Sequence, residues 1–128
     1  INEEARSDPA AVKVARAAGG RALYFSRAPI PYVRDGKPEV EDLEREPFLR
    51  HVGIYAYSRN ALFRWVALAP SALEQLEQLE QLRPLEAGLR IGVAVVGHAD
   101  PGVDTPADVV RTEEKLARIE SLNSRNDR

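Results

Sequence analysis

The sequence predicts an α/β fold: a mixed, mainly parallel sheet covered by helices. Two observations carry this. Short apolar runs of strand length alternate with longer stretches of helical periodicity, and those stretches are bracketed by capping residues. The expected order is helix, strand, loop, strand, helix, helix, strand, helix.

The first helix is expected to start at Asp8 as N-cap, with Pro9 in the first helical position and Gly19 and Gly20 as the stop. Arg21 to Ser26, RALYFS, reads as a strand. Residues Arg27 to Pro47 carry four prolines (Pro29, Pro31, Pro38, Pro47), which remove ladder donors and exclude a central strand. The charged tip DGKPEVEDLERE is expected to be a solvent-facing turn or flap. His51 to Ser58, HVGIYAYS, reads as a second strand with His51, Gly53, Tyr55 and Tyr57 on one face. A short helix fits Asn60 to Leu68.

SALEQLEQLEQLRPLE reads as one helix opened by a capping box of Ser71 and Glu74. Its leucines recur every three residues, which gives a broad apolar face instead of a coiled-coil seam. Ile91 to Val96, IGVAVV, reads as a strand buried on both faces. Thr105 as N-cap and Pro106 in the first position start a last helix to about Ser121, followed by a frayed tail over 122–128.

Composition narrows the function. With 44% hydrophobic and 30% charged residues among 128, the chain is able to form a packed core. A net charge of −2 offers no basic field for nucleic acid or an anionic membrane, so any anion site must be built locally from arginines. Without cysteine there is neither a disulfide framework nor a thiolate metal site, which suits a reducing compartment. No apolar run approaches the roughly 20 residues that span a bilayer. The opening INEEARSD resembles no signal peptide, and a start at Ile1 instead of Met suggests a fragment.

Several residues are candidates for chemistry. Arg27 and Arg34 sit on the proline-stiffened loop; guanidinium forks there suit carboxylate or phosphate, or are solvated loop arginines. His51 and Tyr55, four apart, would line a polar pocket or make ordinary hydrogen bonds. Glu74, Glu77 and Glu80 are indistinguishable by local sequence, as are Gln75, Gln78 and Gln81, and the pattern reads them all as the solvated side of an amphipathic helix. Asp104, between a buried strand and a helix start, is either a Mg²⁺ ligand beyond a strand end or a turn cap. Asp108 reads as a structural acid at a helix N-terminus.

NEEARSDPAAVKVARAAGGRALYFSRAPIPY, FLRHVGIYAY, PSALEQLEQLEQLR and PGVDTPAD stand in one order that closely resembles the 3-deoxy-manno-octulosonate cytidylyltransferases, or CMP-Kdo synthetases. The resemblance runs from about Asn2 to about Leu116. It implies that residues 1–121 are the C-terminal half of one nucleotide-diphospho-sugar transferase-like domain. It also implies a cytoplasmic homodimer with contacts in this half, LFRWV being one candidate. The implied reaction joins CTP and the sugar acid Kdo, with Mg²⁺, to give CMP-Kdo and pyrophosphate for lipopolysaccharide synthesis.

The same resemblance assigns roles. Asp104 matches a metal-binding aspartate, and Arg27 and Arg34 match arginines facing the Kdo carboxylate or the phosphates. His51 and Tyr55 match sugar-pocket residues, and Glu80 and Gln81 match residues that contact Kdo hydroxyls. The family's glycine-rich triphosphate loop, its cytosine pocket and a further metal-binding aspartate have no counterpart here, since the only Gly-Lys is Gly36-Lys37. The isolated chain is therefore expected to be inactive. A non-catalytic interaction module, or a relative using another sugar acid, are the alternatives.

Overall fold

The computed structural model describes residues 1–126 apart from 35, 37, 44–46, 98, 100, 101, 104 and 105. The chain forms two compact units, Ile1–Val95 and Val96–Arg128. Asp104 and Thr105, read from the sequence as metal ligand and N-cap, lie outside the described residues.

The first unit opens with α1, Glu3–Ser7, whose N-cap Asn2 accepts from the Ala5 N–H at 2.8 Å. Asp8 ends this helix instead of starting one: its Oδ1 accepts from Ala10 N at 2.8 Å and folds the chain into a turn. The expected helix from Asp8 is thereby replaced by strand β1, Lys13–Arg16. Alanine-rich composition favours helix, but Val14 takes partners on both sides, Phe25 and Leu49, and ladder pairing overrides propensity.

β1 is the centre of a three-stranded sheet, between β2, Ala22–Ser26, and β3, Leu49–Arg50. Both pairings are antiparallel, where a mainly parallel sheet was expected. For β1 and β2 the cause is a hairpin. Ala17 N donates to Arg21 O at 2.8 Å, and Gly20 turns the chain at φ 81°. The α/β class itself stands.

The expected strand over His51 to Ser58 also shortens. Its ladder lies just upstream, at β3, and His51 N donates to Val12 O as a last rung at 2.8 Å. Ile54 N then donates to Val52 O at 2.7 Å, a three-residue turn that breaks the alternation. Within the proline-rich loop, α2 forms at Val40–Leu43 and buries Leu43, so this part of the expected flap is anchored.

Helix α3, Arg59–Val66, agrees with expectation and is capped by Ser58. The LEQ segment does not form one helix. It divides into α4, Ala72–Glu77, and α5, Leu82–Glu86, with Gln78 between them in the left-handed region at φ 53°. Pro84 gives the reason: in a continuous helix its ring would strike the Glu80 carbonyl. In the first turn of α5 it is tolerated. The leucine step gives a second reason, since each step drifts about 60° around a helix of 3.6 residues per turn. After the break Leu79 and Leu82 both enter the core, while Leu76 stays in solvent.

The predicted capping box of Ser71 and Glu74 is present, and Arg83 grips the Glu74 carboxylate across the break at 2.7 and 2.5 Å. The core gathers Val14, Ala22, Phe25, Leu79 and Leu82, with Leu73, Leu85 and Ile91 packed against it.

Ile91 to Val96 was expected to be a doubly buried strand and is not one here. Gly92 makes a single bridge to Arg21, while Val95 and Val96 are exposed. In the second unit α6 spans Pro106–Asn126, beyond the expected end at Ser121 and into the segment read as a tail.

Leu82 is fully buried. Leu82→Ala is expected to cost about 2–5 kcal/mol through lost transfer energy and the cavity left behind. Urea unfolding followed by circular dichroism measures this; a loss under about 1 kcal/mol would contradict the packing described.

Candidate functional site

The site is built where the C-terminal end of β2 meets the end of α4. An acid in the last turn of a helix opposes the helix dipole, so Glu77 needs donors from elsewhere. It finds them on β2 and on the residue that follows it: Ser26 Oγ donates to Oε1 at 2.6 Å, Arg27 N to Oε2 at 2.9 Å, and Tyr24 Oη approaches Oε1 at 3.5 Å. Burial alone would push this carboxyl up. The bonds from Ser26, Arg27 and Tyr24 outweigh it and hold Glu77 below the ordinary carboxylate range.

Arg27 is bound as tightly as it binds. Its Nε donates to Glu77 O at 2.7 Å, Nη1 to Pro9 O at 3.0 Å and Nη2 to Gln78 O at 3.3 Å. Its own carbonyl accepts from Lys13 Nζ at 2.5 Å. Lys13 is buried to 1% exposure and also donates to the carbonyls of Asp8 and Ala11. Burial lowers its pKa, yet three carbonyl acceptors suit a charged ammonium. Arg27 thus locks the loop base to the α4–α5 turn.

Beside this lock lies an aromatic cluster. His51 meets Phe25 edge-on at 5.2 Å between ring centroids, and its Nε2 shares a 2.8 Å hydrogen bond with Tyr55 Oη. Tyr55 stacks on Tyr57 at 5.8 Å, and Trp65 of α3 packs edge-on against both. A cleft of about 170 Å³ opens here, lined by Tyr55, Tyr57, Trp65, Pro84, Arg90 and Ile91 among others.

Burial lowers the His51 pKa. Burial, then Tyr57, then Glu80 raise that of Tyr55, and burial and Glu80 raise that of Tyr57. At neutral pH the His51–Tyr55 pair is uncharged and offers hydrogen bonds instead of charge. That chemistry suits hydroxyl groups.

The structure therefore brings His51 and Tyr55 together and sets Glu80 within electrostatic reach of Tyr55 and Tyr57. Gln81, next to Glu80, is 5% exposed, and its side chain makes no capping bond to α5. Arg34 stands exposed further along the proline loop, which passes through a cis Ile30–Pro31 bond. Sequence reasoning missed Ser26 and Lys13 and did not separate Glu77 from Glu74 and Glu80. The signal for Glu77 was Pro84, which forces a helix end near that glutamate.

Among the described residues no group of three or more His, Asp or Glu is placed to hold a metal ion. Nor is any helix among them long and apolar enough to cross a membrane.

Frame and gathered residues define an α/β protein with a polar, aromatic-walled site at a sheet–helix junction. The chain belongs to the cytidylyltransferase family, whose match covers residues 1–91. It is 51% identical over 113 residues to the 3-deoxy-manno-octulosonate cytidylyltransferase of Xanthomonas euvesicatoria pv. vesicatoria (strain 85-10), covering 86% of this chain and 44% of that protein. To the enzyme of that name from Xylella fastidiosa (strain 9a5c) it is 50% identical over 116 residues, 88% of this chain and 44% of the relative. The solved structure of CMP:2-keto-3-deoxy-manno-octonic acid synthetase complexed with CTP superposes with TM-score 0.80 at 42% identity, over 92% of this chain and 46% of that one. The chain thus spans less than half the length of the relatives it matches.

Two lowered pKa values share one sign. A folded state that resists protonation loses stability as pH falls through the group's window. For His51 that window opens downward from 6.5, and for Glu77 from 4.5. Urea midpoints are expected to fall from pH 7.5 to 5, with the slope flattened in His51→Ala, and to fall again below about 4.5, less so in Glu77→Gln. A midpoint independent of pH down to 5 would contradict the His51 assignment.

Proposed function

We propose that this chain supplies the sugar-acid half of a 3-deoxy-manno-octulosonate cytidylyltransferase. In the intact protein the anomeric hydroxyl of Kdo attacks the α-phosphorus of CTP. A new P–O bond forms to the sugar, the α–β phosphoanhydride bond breaks, pyrophosphate leaves and the hydroxyl proton is lost. The observation that carries this reading is the neutral His51–Tyr55 pair, with Glu80 within electrostatic reach of Tyr55, in a chain 51% identical to an enzyme of that name.

Each residue then has a role. His51, Tyr55 and Gln81 offer hydrogen bonds to sugar hydroxyls, and Glu80 accepts from them. Arg34 pairs with the sugar carboxylate or a phosphate. Arg27, whose guanidinium is occupied by carbonyls, holds the loop that carries Arg34. Mg²⁺ would be held in part by Asp104; a single protein carboxylate is compatible with that ion, which keeps water and substrate phosphate in its shell. Bound there, it would neutralise charge on the phosphates.

The parallel strands of the mixed sheet, the CTP site and the second metal carboxylate belong on this reading to the rest of the intact protein. That protein acts as a homodimer in the cytoplasm and feeds lipopolysaccharide synthesis. The exposed Leu62, Phe63 and Val66 of α3 are available for the dimer contact.

Pyrophosphate release by the intact protein, with CTP and either Kdo or a sialic acid, tests the assignment. Release with Kdo, abolished by EDTA, is expected, and the chain by itself should release none. Tyr55→Phe and Gln81→Ala should each raise the KM for Kdo roughly ten-fold, the effect of losing about one substrate hydrogen bond. Activity with sialic acid alone would assign the other sugar acid, and release with neither would reject the enzyme reading.

A further inference from the structure

Two groups of candidate recognition residues are carried on different parts of the chain. Arg34 rides on the loop that leaves β2 at Arg27, and Glu80 and Gln81 ride on the turn between α4 and α5. One side chain touches the roots of both. Glu77 ends α4, and its carboxylate holds the Ser26 hydroxyl at 2.6 Å and the Arg27 N–H at 2.9 Å. The Ser26 oxygen in turn accepts from Ala28 N at 3.0 Å, so the grip extends into the start of the loop. On the helix side, the Glu77 and Gln78 carbonyls accept from the Arg27 guanidinium.

We propose that Glu77 is a positioning residue for the sugar-acid site, coupling the Arg27–Arg34 loop to the Glu80–Gln81 turn so that both meet one substrate. The proposal rests on the sugar-acid reading above. Glu77 itself points at the protein and touches no substrate. Its carboxylate suits the task because two N–H and O–H donors from adjacent residues need two acceptor oxygens held in one plane. Glutamine keeps the shape but turns an N–H₂ toward one of those donors. Misplacement of a recognition group by about an ångström is enough to weaken productive binding. The rest of the lock, Lys13 on the Arg27 carbonyl, fixes the other side of the same residue.

A split in kinetic constants separates positioning from mere stability. In the intact enzyme, Glu77→Gln is expected to raise the KM for the sugar acid roughly ten-fold, leave the KM for CTP unchanged and hold kcat within about two-fold. Ser26→Ala, a milder change that leaves the carboxylate in place, is expected to raise the sugar-acid KM about three-fold and decides the matter if Glu77→Gln fails to fold. An unchanged sugar-acid KM in a folded variant overturns the proposal, as does a fall in kcat alone that tracks the folded fraction. If the unaltered enzyme turns over no sugar acid, the functional reading fails and the coupling falls with it. If it does and the variants match it, the coupling alone is wrong.

Discussion

The carboxylate of Glu77 joins two pieces of chain that are distant in sequence. The end of strand β2 and the first loop residue supply the donors, α4 supplies the acid, and the loop inherits its direction from the join. Such charge-assisted bonds are stronger than neutral ones, and a partly buried acid without them would be costly. The constraint also explains why α4 stops where it does. If the helix continued, the Glu77 and Gln78 carbonyls would be engaged in intrahelical bonds. With the break, they are free to accept from Arg27.

That stop has a cost of its own. Gln78 adopts a left-handed conformation, about 1–2 kcal/mol above the right-handed one for a residue with a Cβ. Local bonds offset it: Gln78 N donates to Glu74 O, and its side-chain amide donates to Gln75 O at 2.7 Å. Beyond the break, the Arg83–Glu74 pair returns α5 to α4. A proline, a repeated leucine step and one left-handed residue thus produce a tight corner in which Leu79 and Leu82 are both buried.

Much of the local chemistry was readable from the sequence. The β2 run, the short α3 helix and the Ser71–Glu74 capping box depend on neighbours within a few residues, and all three formed. What failed depended on partners far along the chain. Lys13 to Arg16 looks helical in isolation and becomes the central strand because Phe25 and Leu49 flank Val14. The run Ile91 to Val96 has strand composition yet makes one bridge. Its burial on both faces would need neighbours that the described residues do not provide.

The site divides along the same line. Resemblance, and not spacing, singled out Glu80 and Gln81 from three look-alike LEQ triplets, and the fold then distinguished all three glutamates. Glu74 is paired with Arg83, Glu77 is bonded to β2, and Glu80 is exposed, within electrostatic reach of Tyr55 and Tyr57. Identical local sequence therefore serves three tasks, because a 3-residue step on a helix broken after the second triplet aims each glutamate in a different direction. A straight helix would have spread the same side chains around one cylinder and left Glu77 without its donors. The break is what converts a repetitive amphipathic segment into one structural ion pair, one anchor and one exposed acid within electrostatic reach of the tyrosines.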